Sequence, residues 1–167
     1  SLNNAHIWKL LLSNGASIPT GETGYLTFKN ISQEFLWPLL DALENQEGGI
    51  DKFVNGVSYL MAAASYGNRM LVEELIERGA STTLRSVNAL VNPGSTAGDY
   101  AYFNAYYTLA EKLGHDLNTI NNQDEKGRTL LMVAAFQGHH DDVDCLFYKI
   151  QTIKGLIDIK ILSLIHI

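Results

Sequence analysis

The chain has one cysteine in 167 residues, Cys145. An internal disulfide framework is therefore excluded, and a lone thiol suits a reducing compartment, so a cytoplasmic setting is the expectation. Basic residues are few and scattered: 12 Lys and Arg against 18 Asp and Glu leave a formal charge of -6. Phosphate contacts need clustered Lys and Arg, so neither nucleic acid nor an anionic membrane surface is an expected partner. No apolar run reaches the roughly 18 residues of a membrane-spanning helix, and no secretory signal opens the chain.

Catalytic and metal-binding patterns are also lacking. Gly94-Ser-Thr-Ala-Gly98 is glycine-rich but has neither the lysine nor the spacing of a phosphate loop, and it reads as a connector. Ser95, His115 and Asp116 form a triad only on paper, because no nucleophile-elbow pattern accompanies them. His139, His140, Asp141, Asp142 and Cys145 lie close in sequence, yet His140 and Cys145 are five apart and do not share a helix face. Structural roles are expected for all of these, with no catalytic residue, metal ligand, cofactor or small-molecule substrate.

What is present is a folded composition, 46% apolar and 18% charged, with 14 glycines that punctuate a repeat. The stretch Gly127-Arg-Thr-Leu-Leu-Met-Val-Ala-Ala-Phe-Gln-Gly-His139 echoes Gly56-Val-Ser-Tyr-Leu-Met-Ala-Ala-Ala-Ser-Tyr-Gly-Asn68, seventy-one positions earlier. In each copy a glycine permits a turn with positive φ, and a hydroxyl two places on (Ser58, Thr129) can cap a short helix. Paired alanines (Ala63-Ala64, Ala134-Ala135) let a neighbouring helix come close, and a second glycine ends the helix. Apolar second helices follow. Leu71, Val72, Leu75 and Ile76 should be buried, with Glu73, Glu74, Glu77 and Arg78 outward. Asp141 and Asp142 suit the start of the last helix through its dipole, and Val143, Leu146 and Phe147 should face inward.

These residues resemble the ankyrin repeat, with its pattern G-x-T-P-L-H-x-A-A-x-x-G-H, an apolar second helix and a G-A-D ending. The resemblance is carried by Gly56–Ser81 and Gly127–His139, and by a second-helix remnant at Ile7-Trp-Lys-Leu-Leu-Leu-Ser-Asn-Gly-Ala-Ser17. It implies an all-α chain, an α-solenoid of ankyrin-type helix-turn-helix repeats with about four to five units in one domain. The units are a partial repeat at 1–18, a divergent one at 19–50, a regular one at 51–84, a divergent one at 90–120 and a last regular one at 123–155. An atypical apolar tail at 156–167 follows, whose alternation suggests a strand or a segment docked on the last unit. The turn-rich stretch from Arg85 to Gly98 holds the extra residues that stretch the period. Residues 99–113 return to helix, without a Gly-His turn and with Gly98 where a core leucine is expected.

The resemblance also implies a function: binding another protein through first-helix faces and hairpin tips. The tips are Val54, Asn55 and Val57, and Glu125, Lys126 and Arg128. The first-helix ends contribute Ser65 with Tyr66 and the equivalent Phe136 with Gln137, joined by Tyr102 and Phe103. Tyr66 and Phe136 could instead pack between repeats. The rival reading is the targeting or regulatory part of a larger multidomain enzyme, such as an effector that a bacterium delivers into a host cell.

Overall fold

The computed structural model describes residues 33–87, 93–117, 123–124 and 126–165, together with residues 10, 14 and 16. Most of the partial repeat at 1–18, all of the stretch 19–32 and Glu125 lie outside the described residues. The fold is mostly helical, with a single two-stranded ribbon among the described residues.

Helix α1 (Gln33–Asn45) runs through Pro38 and buries Leu36, Leu39, Leu40 and Leu43. After a 3-10 turn at Gly49–Asp51, strands β1 (Phe53–Val54) and β2 (Val57–Ser58) pair antiparallel, Val54 opposite Val57. Asn55 and Gly56 between them both have positive φ, 52° and 83°. A two-residue hairpin loop whose twist matches its strands needs that geometry.

Three helix pairs then follow: α2 (Tyr59–Ser65) with α3 (Arg69–Glu77), α4 (Ala97–Phe103) with α5 (Tyr107–Lys112), and α6 (Leu130–Gln137) with α7 (His140–Ile165). Each first helix is capped by a hydroxyl that accepts a backbone N–H at the third helical position: Ser58 from Met61 (3.3 Å), Thr96 from Asp99 (3.3 Å) and Thr129 from Met132 (3.4 Å). Nine positions beyond each cap the backbone turns left-handed, at Gly67 (φ 67°), Ala105 (φ 64°) and Gly138 (φ 75°). The next amide closes the helix end on the same carbonyl each time: Asn68 on Ala63 (3.1 Å), Tyr106 on Ala101 (3.0 Å) and His139 on Ala134 (3.0 Å). Those three alanines are fully buried. The divergent middle stretch thus obeys the same local grammar as its neighbours, and its helical region from 99 to 113 is two helices broken at Ala105.

Ala105 departs from the expected glycine. A Cβ in the left-handed region costs about 1 kcal/mol or more, and the strain persists because Ala105 is buried and its carbonyl receives the His139 ring N–H at 3.0 Å. Ala105→Gly is therefore expected to stabilise the chain by roughly 0.5–1 kcal/mol, after the extra freedom glycine gives the unfolded chain. A rise of a few degrees in the melting temperature checks this.

The α2 helix packs against α4, and α5 against α7. The core has two parts. The larger joins α1 to α5, and the smaller gathers Ala105, Tyr107, Leu117, Leu130, Ala134 and Leu146. Tyr102 packs against both, at the place where α2 has Ala64 and α6 has Ala135. On the outer side, α1, α3, α5 and α7 are laced by ion pairs: Arg78 with Asp41 (2.8 Å) and Glu44 (3.0 Å), Lys112 with Glu73, and Lys149 with Glu111. Arg78 also lies over the Trp37 ring, 5.4 Å from its centroid, so it is half-buried instead of freely solvated. Exposed pairs of this kind contribute under about 1 kcal/mol each; alignment of neighbours is their main effect.

Two sequence expectations change. The last helix, expected to end near Ile150, continues through Gly155 to Ile165, so the tail up to that residue is helical and forms no strand. Ile150, Ile153, Ile157, Ile161 and Leu164 recur every three or four positions, a pattern a helix satisfies as well as alternation suits a strand. Phe147, expected to face inward, is exposed.

Candidate interaction surface

The expected site residues divide sharply by what already holds them. Val54 and Val57 are half-buried and pack on the larger core, leaving Asn55 exposed at the hairpin tip. The corresponding turn of the last unit is built by Asp124, whose carboxylate accepts the backbone N–H groups of Lys126 and Arg128 (2.9 Å each) and pairs with the Arg128 guanidinium (2.7 Å). These hydrogen bonds from Arg128 hold the Asp124 carboxyl below its ordinary pKa. Arg128 is thus committed within the turn, and Lys126 stays exposed.

Ser65 donates its hydroxyl to the Ala62 carbonyl at 2.8 Å, and Tyr66 packs on the larger core. Tyr102 stacks on His115 (centroids 4.3 Å apart) and meets Tyr107 edge-on (5.5 Å). Tyr66 and Tyr102 are therefore engaged in packing. Phe103 and Phe136 differ: they are 56% and 85% exposed. Both stand seven residues after the cap, Thr96 and Thr129, at the ends of α4 and α6, where α2 has Ser65. Gln137, beside Phe136, is exposed too. The structure thus leaves two phenylalanines bare at one repeated place. The equivalence of Phe103 to Phe136 was hidden in the sequence, because the middle unit's cap, Thr96, lay in what reads as a connector.

No protein-family model matches the chain, and no curated protein matches it.

Three of the titratable groups that invited chemistry are held by neighbours. His115 pairs with Asp99 (2.8 Å). His139 stacks on Tyr106 (centroids 4.3 Å apart, planes 13° from parallel) and donates to the Ala105 carbonyl. Asp142 is 2% exposed and accepts from the Thr108 backbone N–H (2.6 Å) and hydroxyl, with Arg69 3.9 Å away. Among the described residues no group of three or more His, Cys, Asp or Glu side chains is placed to hold a metal ion, and no helix is long and apolar enough to cross a membrane.

Asp99 supplies a pH test. Burial raises its pKa, but the Thr96 backbone N–H, the His115 ring and the Thr96 hydroxyl all favour the charged form, and together they hold it below the ordinary aspartate value. A depressed folded-state pKa contributes stability that is complete above the unfolded value of about 3.9 and is lost as pH falls through the lower folded value. Asp99→Asn is expected to flatten the fall in stability below about pH 4, measured as the urea midpoint against pH. An unchanged acid limb contradicts the assignment.

Proposed function

We propose that the chain is an ankyrin-type solenoid that binds another protein through the open face of its first helices, as a binding module and not as a catalyst. The observation that carries this is the exposure of Phe103 and Phe136 at equivalent places in successive units. Large aromatic rings left in water at matched positions of a rigid scaffold are what a partner can bury with little ordering of the receptor. The three repeated cap-and-turn elements, the buried alanines at their helix ends and the Asn55-Gly56 hairpin support the ankyrin reading. The hydrogen bonds that occupy His115, His139, Asp99 and Asp142 support binding over catalysis, since each group already serves the scaffold. Exposed Asn55, Lys126 and Gln137 extend the candidate face.

The test is affinity capture with the whole chain beside Phe103→Ala/Phe136→Ala. The expected result is loss of specifically retained proteins, at least tenfold by quantitative mass spectrometry, with a melting temperature within about 2 °C of the parent, because truncating interface aromatics costs binding and not core packing. Unchanged capture, or a melting temperature many degrees lower, contradicts the proposal.

A further inference from the structure

The charges of the chain are sorted by side. The outer helices α1, α3, α5 and α7 hold eleven acidic residues against five basic ones. The three turn segments that lead into the first helices reverse the balance. Residues 52–58, 85–95 and 123–128 hold four basic residues, Lys52, Arg85, Lys126 and Arg128, and two acidic ones. The first helices α2, α4 and α6 carry a single charged side chain, Asp99, and Thr96 and His115 already bind it. A chain of net charge -6 thus keeps a basic edge beside an almost uncharged face.

Two of the cations on that edge stand without a carboxylate. Arg85 is exposed and donates to the Gly94 carbonyl at 2.8 Å, Lys126 is exposed, and neither joins an ion pair among the described residues. The Val87 N–H meets the Gly56 carbonyl at 2.9 Å, which sets the Arg85 segment beside the Asn55-Gly56 hairpin. Phe103 and Phe136 lie seven residues past their caps, about 10 Å along the helices from these turns. An extended segment covers that distance in about three or four residues. We propose that the partner of this face is an acidic segment with large apolar side chains: its carboxylates meet Arg85 and Lys126, and its apolar groups cover Phe103 and Phe136. This rests on the binding function proposed above and adds the chemistry of what is bound. The acidic outer helices repel such a segment while the basic edge attracts it, so charge selects the face as well as the partner. A basic segment is drawn to the opposite side.

The probe is a phage-displayed library of random peptides of about 12 residues, about 40 Å when extended, panned on the 167-residue chain. Enrichment of Asp and Glu a few positions from Leu, Phe or Trp is expected. For the most enriched peptide, read by fluorescence anisotropy, Lys126→Glu with Arg85→Gln should raise Kd about tenfold at an unchanged melting temperature. Lys126→Glu alone, at an exposed side chain, should raise it about threefold, which keeps the test open if loss of the Arg85 hydrogen bond loosens the turn. Salt raised from about 50 to 300 mM should weaken binding about threefold or more. Enriched peptides that are neutral or basic, or a Kd indifferent to Lys126→Glu, overturn the proposal. If Phe103→Ala/Phe136→Ala still abolishes binding in that case, the binding function stands without its acidic partner; no enriched peptide, or one indifferent to the phenylalanines, contradicts both.

Discussion

Gly98→Leu is expected to destabilise the chain by about 2–3 kcal/mol, although leucine is what the flanking units carry at that place, Leu60 and Leu131. The reason lies one helix away. The α5 helix has six residues where α3 has nine, so it loses nearly a turn and brings its closing residues down onto α4. A Cβ on Gly98 would sit 3.1 Å from the His115 Cβ and 3.3 Å from the Ala110 carbonyl oxygen and the His115 nitrogen. Two of those three atoms are backbone and have little room to give, because the His115 N–H closes α5 on Ala110 at 2.9 Å. Overpacking of a buried site moves backbone, and a loss of this size lowers the melting temperature of a chain of this length by about 4–12 °C. Gly98→Ala should fall less, by about 1 kcal/mol, since only the first carbon must be fitted. Equal stability of the leucine variant and the parent contradicts the account of the shortened α5.

Asp142→Ala carries the other large effect, about 3 kcal/mol in the urea midpoint. Asp142 occupies the position of Leu71 in α3 and Leu109 in α5, both buried leucines, and is itself buried. A carboxylate there persists because it caps the start of α5, accepting both the N–H and the hydroxyl of Thr108 across the junction between the last two pairs. Removing it leaves the part-buried Thr108 N–H and hydroxyl without that acceptor. Arg69, 3.8 Å from Asp141 and 3.9 Å from Asp142, is 41% exposed by its side chain, so Arg69→Ala should cost under about 1 kcal/mol. A ratio near one between the two variants assigns the stabilisation to the ion pair instead of the hydrogen bonds.

These two positions also mark where the sequence stops being legible. The regular units could be read because each signal was local: Gly56 and Gly127 for turns, Ser58 and Thr129 for caps, Leu71, Val72 and Leu75 for a buried stripe. The middle unit was obscured because its cap sits thirty-eight positions after Ser58 and thirty-three before Thr129, so the inserted residues break the period on one side only. Its left-handed turn falls on Ala105, which carries no glycine signal, and its Gly98 makes sense only once the length of α5 is known. Asp142 likewise looks like one of a surface pair with Asp141 until Thr108, thirty-four residues away, is brought against it. For the candidate surface, composition and spacing pointed to helix ends but not to which rings stay bare. Tyr66 turns to the core and Phe103 to solvent, a difference set by tertiary packing.

The central claim is that successive units stack in one register, each turn seated on the turn before it. One contact of that kind is the Tyr106 ring on Gly67, where a Cβ would lie 2.3 Å from a ring carbon, with the His139 ring stacked on Tyr106. Nuclear Overhauser spectroscopy on the labelled chain reads it directly. Cross-peaks from the Tyr106 ring to both Gly67 α-protons and to the His139 ring, with ring-current shifts of the Gly67 protons, are the predicted result; a Tyr106 ring without contact to either residue contradicts the stack.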